Sequence, residues 1–450
     1  MNPIAGIRSL ITGSKDIIGI AWPVVFGMTS FTLLLAVDTA VVGRVSPSAQ
    51  GVAGIGDVAL LVVALTLAGL NVGCQVISAR RFGEGDNRGA GAVLDNSLVL
   101  ALIVGIVFTT LGVLTAGSMS RLLFGTQELR ELGQPFLAVK MLGVFPFILA
   151  AAYRGFFAGV GRTVHFLIGS GLRVAANIFL DFALVFGMFG FPELGLQGAA
   201  IAGTVALFVE LAYYIPVIFL PSFRTTFGLM KLGNLSWKIC RGIIKLSFAS
   251  GIRNLVSLSC YLVFFRIAES IGTVDFAVSN ISRTVFNLVF MPVLGIGVAV
   301  SSLVSRNIGE GRPEEAEKNT WRGIALAIGV VGIMYAALQA FAPFIARVFT
   351  EDQAVAYVAV ETFRLASFFL LMAPAGVIFS CALEGAGNVI YILIVETLCC
   401  VTYLYAAWLF GIQWNAGIVG AYNAEFAYFL LFCAVTGVRF LRRDWFHTKV

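Results

Sequence analysis

The sequence predicts an all-α polytopic membrane protein, with twelve transmembrane helices in two six-helix lobes related by pseudo-two-fold symmetry. Three observations carry this expectation. The first is composition: of 450 residues, 59% are apolar and only 12% charged, and the mean hydropathy is +0.94. Soluble domains have about 45–50% apolar and about 25% charged residues, so this chain has too few charges to coat a water-exposed surface. The second is the recurrence of apolar runs of about 20 residues, the length of helix that crosses about 30 Å of hydrocarbon. The third is a repeat of the first half in the second. Lipid offers backbone groups no partners, so such runs must be helical.

Taken in order, residues 1–16 form a polar N-terminal segment without the apolar core of a signal peptide. Apolar runs at 17–43, 52–78, 92–117, 134–158, 164–189 and 194–220 make an N-terminal lobe, 17–220. Residues 221–245 carry Arg224, Lys231, Lys238, Arg241 and Lys245 and read as an inter-lobe linker. Runs at 246–270, 277–304, 323–348, 357–382, 389–411 and 415–440 make a C-terminal lobe, 246–440, followed by a tail, 441–450. One side of the membrane collects 19 Lys and Arg residues, including Arg80, Arg81, Arg306 and Arg312. The other has Arg44, Arg121, Arg130 and Arg347, and only six if Lys140 and Arg364 are counted there. The positive-inside rule therefore predicts cytoplasmic termini and linker in a prokaryotic inner membrane.

The repeat is explicit. An offset of 226 aligns 69–90 with 295–316, pairing Gly69/Gly295, Val72/Val298, Arg80/Arg306, Gly83/Gly309, Glu84/Glu310, Gly85/Gly311 and Ala90/Ala316. The same offset pairs Gly159 and Gly161 with Gly385 and Gly387. An offset of 222 pairs Gly195, Gly198, Ala199 and Ala202 with Gly417, Gly420, Ala421 and Ala424. An even number of spans in each half gives the halves the same topology, as in transporters whose pathway lies between parallel repeats. The Arg and Gly motifs after the second and eighth spans read as tight turns with interfacial anchors.

Ionisable residues inside spans are the strongest functional signal, because a charge near a span's centre costs about 2.5–3.5 kcal/mol on insertion. Asp38 follows an almost wholly apolar run and has no Lys or Arg within a helical turn of sequence. Asp181 lies deep in the fifth span, with Asn177 four residues and Arg173 eight residues earlier on the same face. At the 226 offset these aspartates correspond to Phe264 and Ala407, which places the carboxylate chemistry in the first half. Two carboxylates in one dry cavity resist double ionisation, so the pair can load a proton, or both can stay charged around a sodium ion. The residues alone leave both open. Glu384 reads as solvated near a cytoplasmic end. Arg154, Glu210, Arg253, Arg266, Glu269, Arg283, Glu396 and Glu425 read as pairing across helices or lining a cavity.

Other classes are excluded or unsupported. The net charge of +6 suits anionic headgroups, and no basic block interleaved with aromatics suggests nucleic acid. No phosphate loop, His/Cys cluster or enzyme motif appears, so no enzyme activity and no cofactor are expected. The seven cysteines lack metal spacing and read as reduced packing residues. The expected partners are membrane lipids and a small amphipathic or cationic molecule, with the chain acting as a monomer.

The segments Val37-Asp38-Thr-Ala-Val-Val-Gly43, Arg154-Gly-Phe-Phe-Ala-Gly-Val-Gly161, Asn177-Ile-Phe-Leu-Asp181 and Gly195-Leu-Gln-Gly-Ala-Ala-Ile-Ala202 resemble the multidrug and toxic compound extrusion (MATE) family. The aspartate pattern is similar to its DNA-damage-inducible protein F branch. The resemblance implies two lobes around a V-shaped cavity and export of organic cations, drugs and other amphipathic compounds in exchange for H+ or Na+. It implies a cation-coupling site of Asp38, Asn177, Asp181 and Thr204, with Na+ held at Asp38, Asn177 and Asp181 if sodium is the coupling ion. It also implies a hinge at Pro23, where the missing N–H frees a carbonyl and lets a helix bend. A second branch carries an acidic residue in the middle of the seventh span. Here that stretch reads Arg253-Asn-Leu-Val-Ser-Leu-Ser-Cys260, which disfavours a second-lobe sodium site. A lipid-linked oligosaccharide or lipid flippase of the same superfamily is the alternative, since Arg154, Arg173, Arg253 and Arg283 could receive phosphates.

Overall fold

The computed structural model describes residues 14–448, which are helical or turn, with no strand among them. Residues 1–13 of the expected N-terminal segment and 449–450 of the tail lie outside the described residues. The helices are α1 (Lys15–Gly43), α2 (Pro47–Leu67), α3 (Gly69–Gly83), α4 (Asn87–Leu123), α5 (Gln127–Leu142), α6 (Val144–Gly159), α7 (Val164–Val185), α8 (Gly195–Phe219) and the short α9 (Pro221–Phe227). They continue as α10 (Trp237–Ile271), α11 (Thr273–Gly309), α12 (Pro313–Phe349), α13 (Gln353–Leu365), α14 (Ala373–Gly385), α15 (Val389–Trp408) and α16 (Gly417–Leu441). Eleven spans are long and apolar enough to cross a membrane, counting α2–α3 and α5–α6 as one each. The 29-residue α1 is the twelfth.

Two spans differ from the continuous apolar runs expected. The tenth is α13, a 3-10 segment Ala366–Leu371, then α14 opening on Pro374. A proline lacks the N–H for the helical ladder and disfavours helix in the residue before it. The eleventh ends in a π turn, Leu409–Gln413.

The helix bounds repeat as the residues do. The spans Pro47–Gly83 and Asn87–Leu123 recur as Thr273–Gly309 and Pro313–Phe349, all 37 residues long and displaced by 226. Gly195–Phe219 recurs as Gly417–Leu441, both 25 residues long and displaced by 222. The turns recur as well. Gly85 (φ +76°) and Gly311 (φ +70°) are left-handed residues that end α3 and α11. Beyond them Asp86 N–H donates to Arg81 O at 3.0 Å, and Arg312 N–H to Asn307 O at 2.8 Å. This closes a helix C-terminus with a glycine. Close packing recurs too: a Cβ on Gly159 would lie 2.6 Å from Gln75 O, and one on Gly385 would collide with Ser301 O. Only glycine lets α6 approach α3, and α14 approach α11, backbone to backbone.

The chain divides into two compact units. One is Phe26–Gly251; the other joins Ile252–Val450 to residues up to Val25. In the first unit, Asp95 on α4 accepts from Met230 N (3.0 Å) and Asn234 Nδ2 (2.6 Å), and Asn96 Oδ1 accepts from Ser236 N (2.9 Å). These bonds tie residues 230–236 of the polar 221–245 stretch to α4. In the second unit, Ile17, Ile20 and Ala21 of α1 join a core with Phe286, Phe363 and Tyr422.

Candidate functional site

Within the Phe26–Gly251 unit, five helices bring polar side chains to one cavity of 230 Å³. α1 supplies Asp38, α2 Asp57, α5 Lys140, α7 Arg173 and Asn177, and α8 Thr204, between walls that include Leu34, Leu61 and Phe147. Asn177 and Asp181 stand one turn apart on α7, as their spacing predicts. The Asn177 amide donates to Asp181 Oδ2 at 2.6 Å and to Asp38 Oδ1 at 2.9 Å. It therefore uses one NH2 group to hold two carboxyls together. Asp181 is fully buried, and its Oδ1 has no hydrogen-bond donor among the described residues. The two carboxyls lie within hydrogen-bonding reach of each other, a contact that binds only when one of them carries a proton.

Thr204 lines the same cavity, but its hydroxyl donates to Val139 O at 3.0 Å. The carboxyls, Asn177 Oδ1 and Thr204 Oγ1 are the oxygens with which a hard monovalent cation could be held. Pro23 is buried in the other unit's part of α1, which runs through it as continuous helix.

Two residues of this cavity were not singled out from sequence. Asp57 sits in the second span and forms an ion pair with Lys140 at 2.9 Å. Lys140 was expected near an outer span end; its residue is only 8% exposed, and it faces the cavity. A second cavity of 150 Å³ shares Asp38, Asp57 and Lys140 with the first. Asp57 carries the signal used for Asp38, a carboxylate within an apolar run. The pairing across α2 and α5 is tertiary and leaves no sequence trace.

Nearby, Glu210 is fully buried and receives Arg154 at 3.3 Å, Arg173 at 3.8 Å and the Tyr214 hydroxyl at 3.0 Å. The polar face of α7 thus divides, with Arg173 turned to Glu210 and Asn177 to the aspartates.

The second unit corrects two expectations. Glu384 is buried and paired with Arg253 at 3.2 Å, because the Gly385 packing draws this end of α14 against the helix bundle. Buried carboxylates are also not confined to the first half. Glu425 pairs with Arg283 at 3.4 Å, and Glu396 accepts from Ser257 at 2.7 Å and Tyr428 at 2.9 Å. These groups line a cavity of 210 Å³ with Tyr261, Tyr403 and Phe429. Here each carboxylate has an Arg, Ser or Tyr donor, whereas Asp38 and Asp181 share one amide. Arg266 and Glu269 pair at an exposed surface. All seven cysteines are free.

Comparison with known proteins agrees with this architecture. The MatE family model matches twice, at residues 23–183 and 249–409, the two matches displaced by the same 226 residues. A Thermotoga maritima protein named probable multidrug resistance protein NorM is 28% identical over 436 residues, covering 96% of this chain and 93% of its own. A Bacillus cereus protein of the same name is 24% identical over 399 residues, covering 88% and 87%. Among solved structures, a MOP superfamily transporter from Pyrococcus furiosus, whose reversed pocket polarity is reported to suggest a different function, superposes with a TM-score of 0.89. It is 23% identical and covers 97% of each chain. The outward-facing form of a multidrug resistance MATE family transporter superposes at 0.87, with 23% identity over 96% of each chain. With the family model matching both halves and the repeated helices in place, the chain belongs to the MATE family of membrane transporters.

Proposed function

We propose that this protein is a secondary antiporter of the prokaryotic inner membrane. It exports drugs, organic cations and other amphipathic compounds in exchange for an entering H+ or Na+, with both termini cytoplasmic. The observation that carries this reading is the Asp38–Asn177–Asp181 group. Two carboxyls held by one amide, in a cavity with apolar walls, change their joint charge by one unit when a cation arrives. That change biases how α1 and α7 pack, and an alternating-access cycle needs such a bias. Pro23 is assigned as the point at which α1 bends, and Thr204 as a lesser member of the group.

Relatives named as probable multidrug resistance proteins support drug-like cargo. A flippase reading would need cationic groups free to receive phosphate. Arg154 and Arg173 pair with Glu210, Arg253 with Glu384 and Arg283 with Glu425, so a lipid phosphate would have to displace buried carboxylates.

The test is cationic-dye efflux from proteoliposomes under imposed pH or sodium gradients. Asp38→Asn should abolish gradient-driven efflux while the protein still inserts and folds. Full transport by that variant would refute the assignment.

A further inference from the structure

Lys140 is the one cation facing the aspartates that is not held by Glu210. The charged and titratable groups around the site are Asp38 from α1, Asp57 from α2, Lys140 from α5, Arg173 and Asp181 from α7, and Glu210 from α8. Arg173 is committed to Glu210 at 3.8 Å. Lys140 Nζ bonds Asp57 Oδ1 at 2.9 Å and lies 5.3 Å from the centre of the Phe136 ring. Nζ also lies 3.4 Å from the point where a Cβ on Gly203 would sit, and Asn177 Oδ1 lies 3.5 Å from that same point. The two atoms are therefore at most 6.9 Å apart, the sum of those distances. The ammonium stands between Asp57 and the amide that clasps Asp38 and Asp181, on a flexible four-carbon stem.

This arrangement leaves little for a sodium ion to do. Sodium would need the oxygens of both carboxyls and of Asn177, but Asn177 turns its N–H groups to the carboxyls and its Oδ1 toward Lys140. A fixed positive charge already stands beside the pair and repels a second one. A proton has neither problem: it binds one carboxyl and needs no coordination shell. The fully buried Asp181 Oδ1, without a donor among the described residues, is a place where such a proton or its acceptor fits.

We infer that Lys140 is a tethered counter-cation, shared between Asp57 and the Asp38–Asp181 pair, that makes this site select H+ over Na+. This rests on the antiporter reading above and deepens it. With one proton on the pair, Lys140 stays on Asp57. When that proton passes to water on the open side, the pair becomes doubly negative and draws the ammonium from Asp57. Reloading sends it back. The ammonium keeps its three protons throughout and moves only as a charge.

The experiment compares wild type, Lys140→Gln and Lys140→Arg in dye-loaded proteoliposomes under a pH gradient or a sodium gradient, with Asp38→Asn as the control. Wild type and Lys140→Arg should respond to the pH gradient alone. Lys140→Gln should gain a sodium-driven efflux at least tenfold above its rate in choline. If Lys140→Gln transports yet stays blind to sodium, the inference fails and the antiporter reading stands. If Asp38→Asn transports fully, the antiporter reading itself fails. Should Lys140→Gln not fold, NaCl titration of purified wild type at constant ionic strength decides the matter. No saturable binding is expected, and saturable sodium binding that Asp38→Asn removes would overturn the inference.

Discussion

At the scale of single residues, the site depends on one amide. Asn177→Ala removes both donors to Asp38 and Asp181 without changing the backbone. Since the two carboxyls are then no longer clasped, gradient-driven efflux should fall by at least about tenfold, the size of effect expected when hydrogen bonds to charged groups worth about 1.5–3 kcal/mol are lost. A dye-efflux assay under a fixed gradient measures it. Glu210 does a different job. It is fully buried and answers two arginines, and removing one partner of a buried ion pair costs about 3–5 kcal/mol. Glu210→Ala should therefore lower the detergent melting temperature, while Asp38→Asn should leave it almost unchanged. What sequence showed of these residues follows from this difference. Asp38 and Asp181 stood out because each is a carboxylate in an apolar run, and the four-residue step to Asn177 is local. Lys140 and Glu384 were misjudged because a charge close to a span end looks solvated until the helix packed against it is known.

At the scale of elements, glycines decide which helices touch. A Cβ on Gly159 would meet Gln75 O, and one on Gly385 would meet Ser301 O, at equivalent places of the repeat. Gly159→Leu and Gly385→Leu should each force a helix pair apart. Both should yield protein that fails to accumulate in the membrane, as read by fluorescence size exclusion, whereas Gly329→Leu, with open space at its Cβ, should not. The tenth span shows where hydropathy stops being informative. Its apolar run is unbroken in composition, but the backbone passes through a 3-10 segment before Pro374. An apolar window registers burial and length, not the hydrogen-bond step within it.

At the scale of the whole molecule, duplication was readable because it leaves matched residues at one offset, and the helix ends follow that offset. The duplication is not faithful in charge. The place occupied by Asp57 in the first half is occupied, 226 residues on, by Arg283, and the latter pairs with Glu425. The two halves therefore share a scaffold and differ in electrostatics, so Glu396→Gln should weaken transport less than Asp38→Asn in the same efflux assay. Orientation is tested separately: a cysteine placed at Gly233 in a cysteine-free background should react with an impermeant maleimide only after cells are opened.

The 37-residue spans have one more consequence. At 1.5 Å per residue each is about 55 Å long, nearly twice the thickness of a hydrocarbon layer. Such rods reach well past the acyl chains into the headgroups and water. Thickening or thinning the surrounding lipid changes how much of each rod is wetted, not whether it reaches across. Transport in vesicles should therefore vary little as the lipid tails are lengthened from fourteen to twenty carbons.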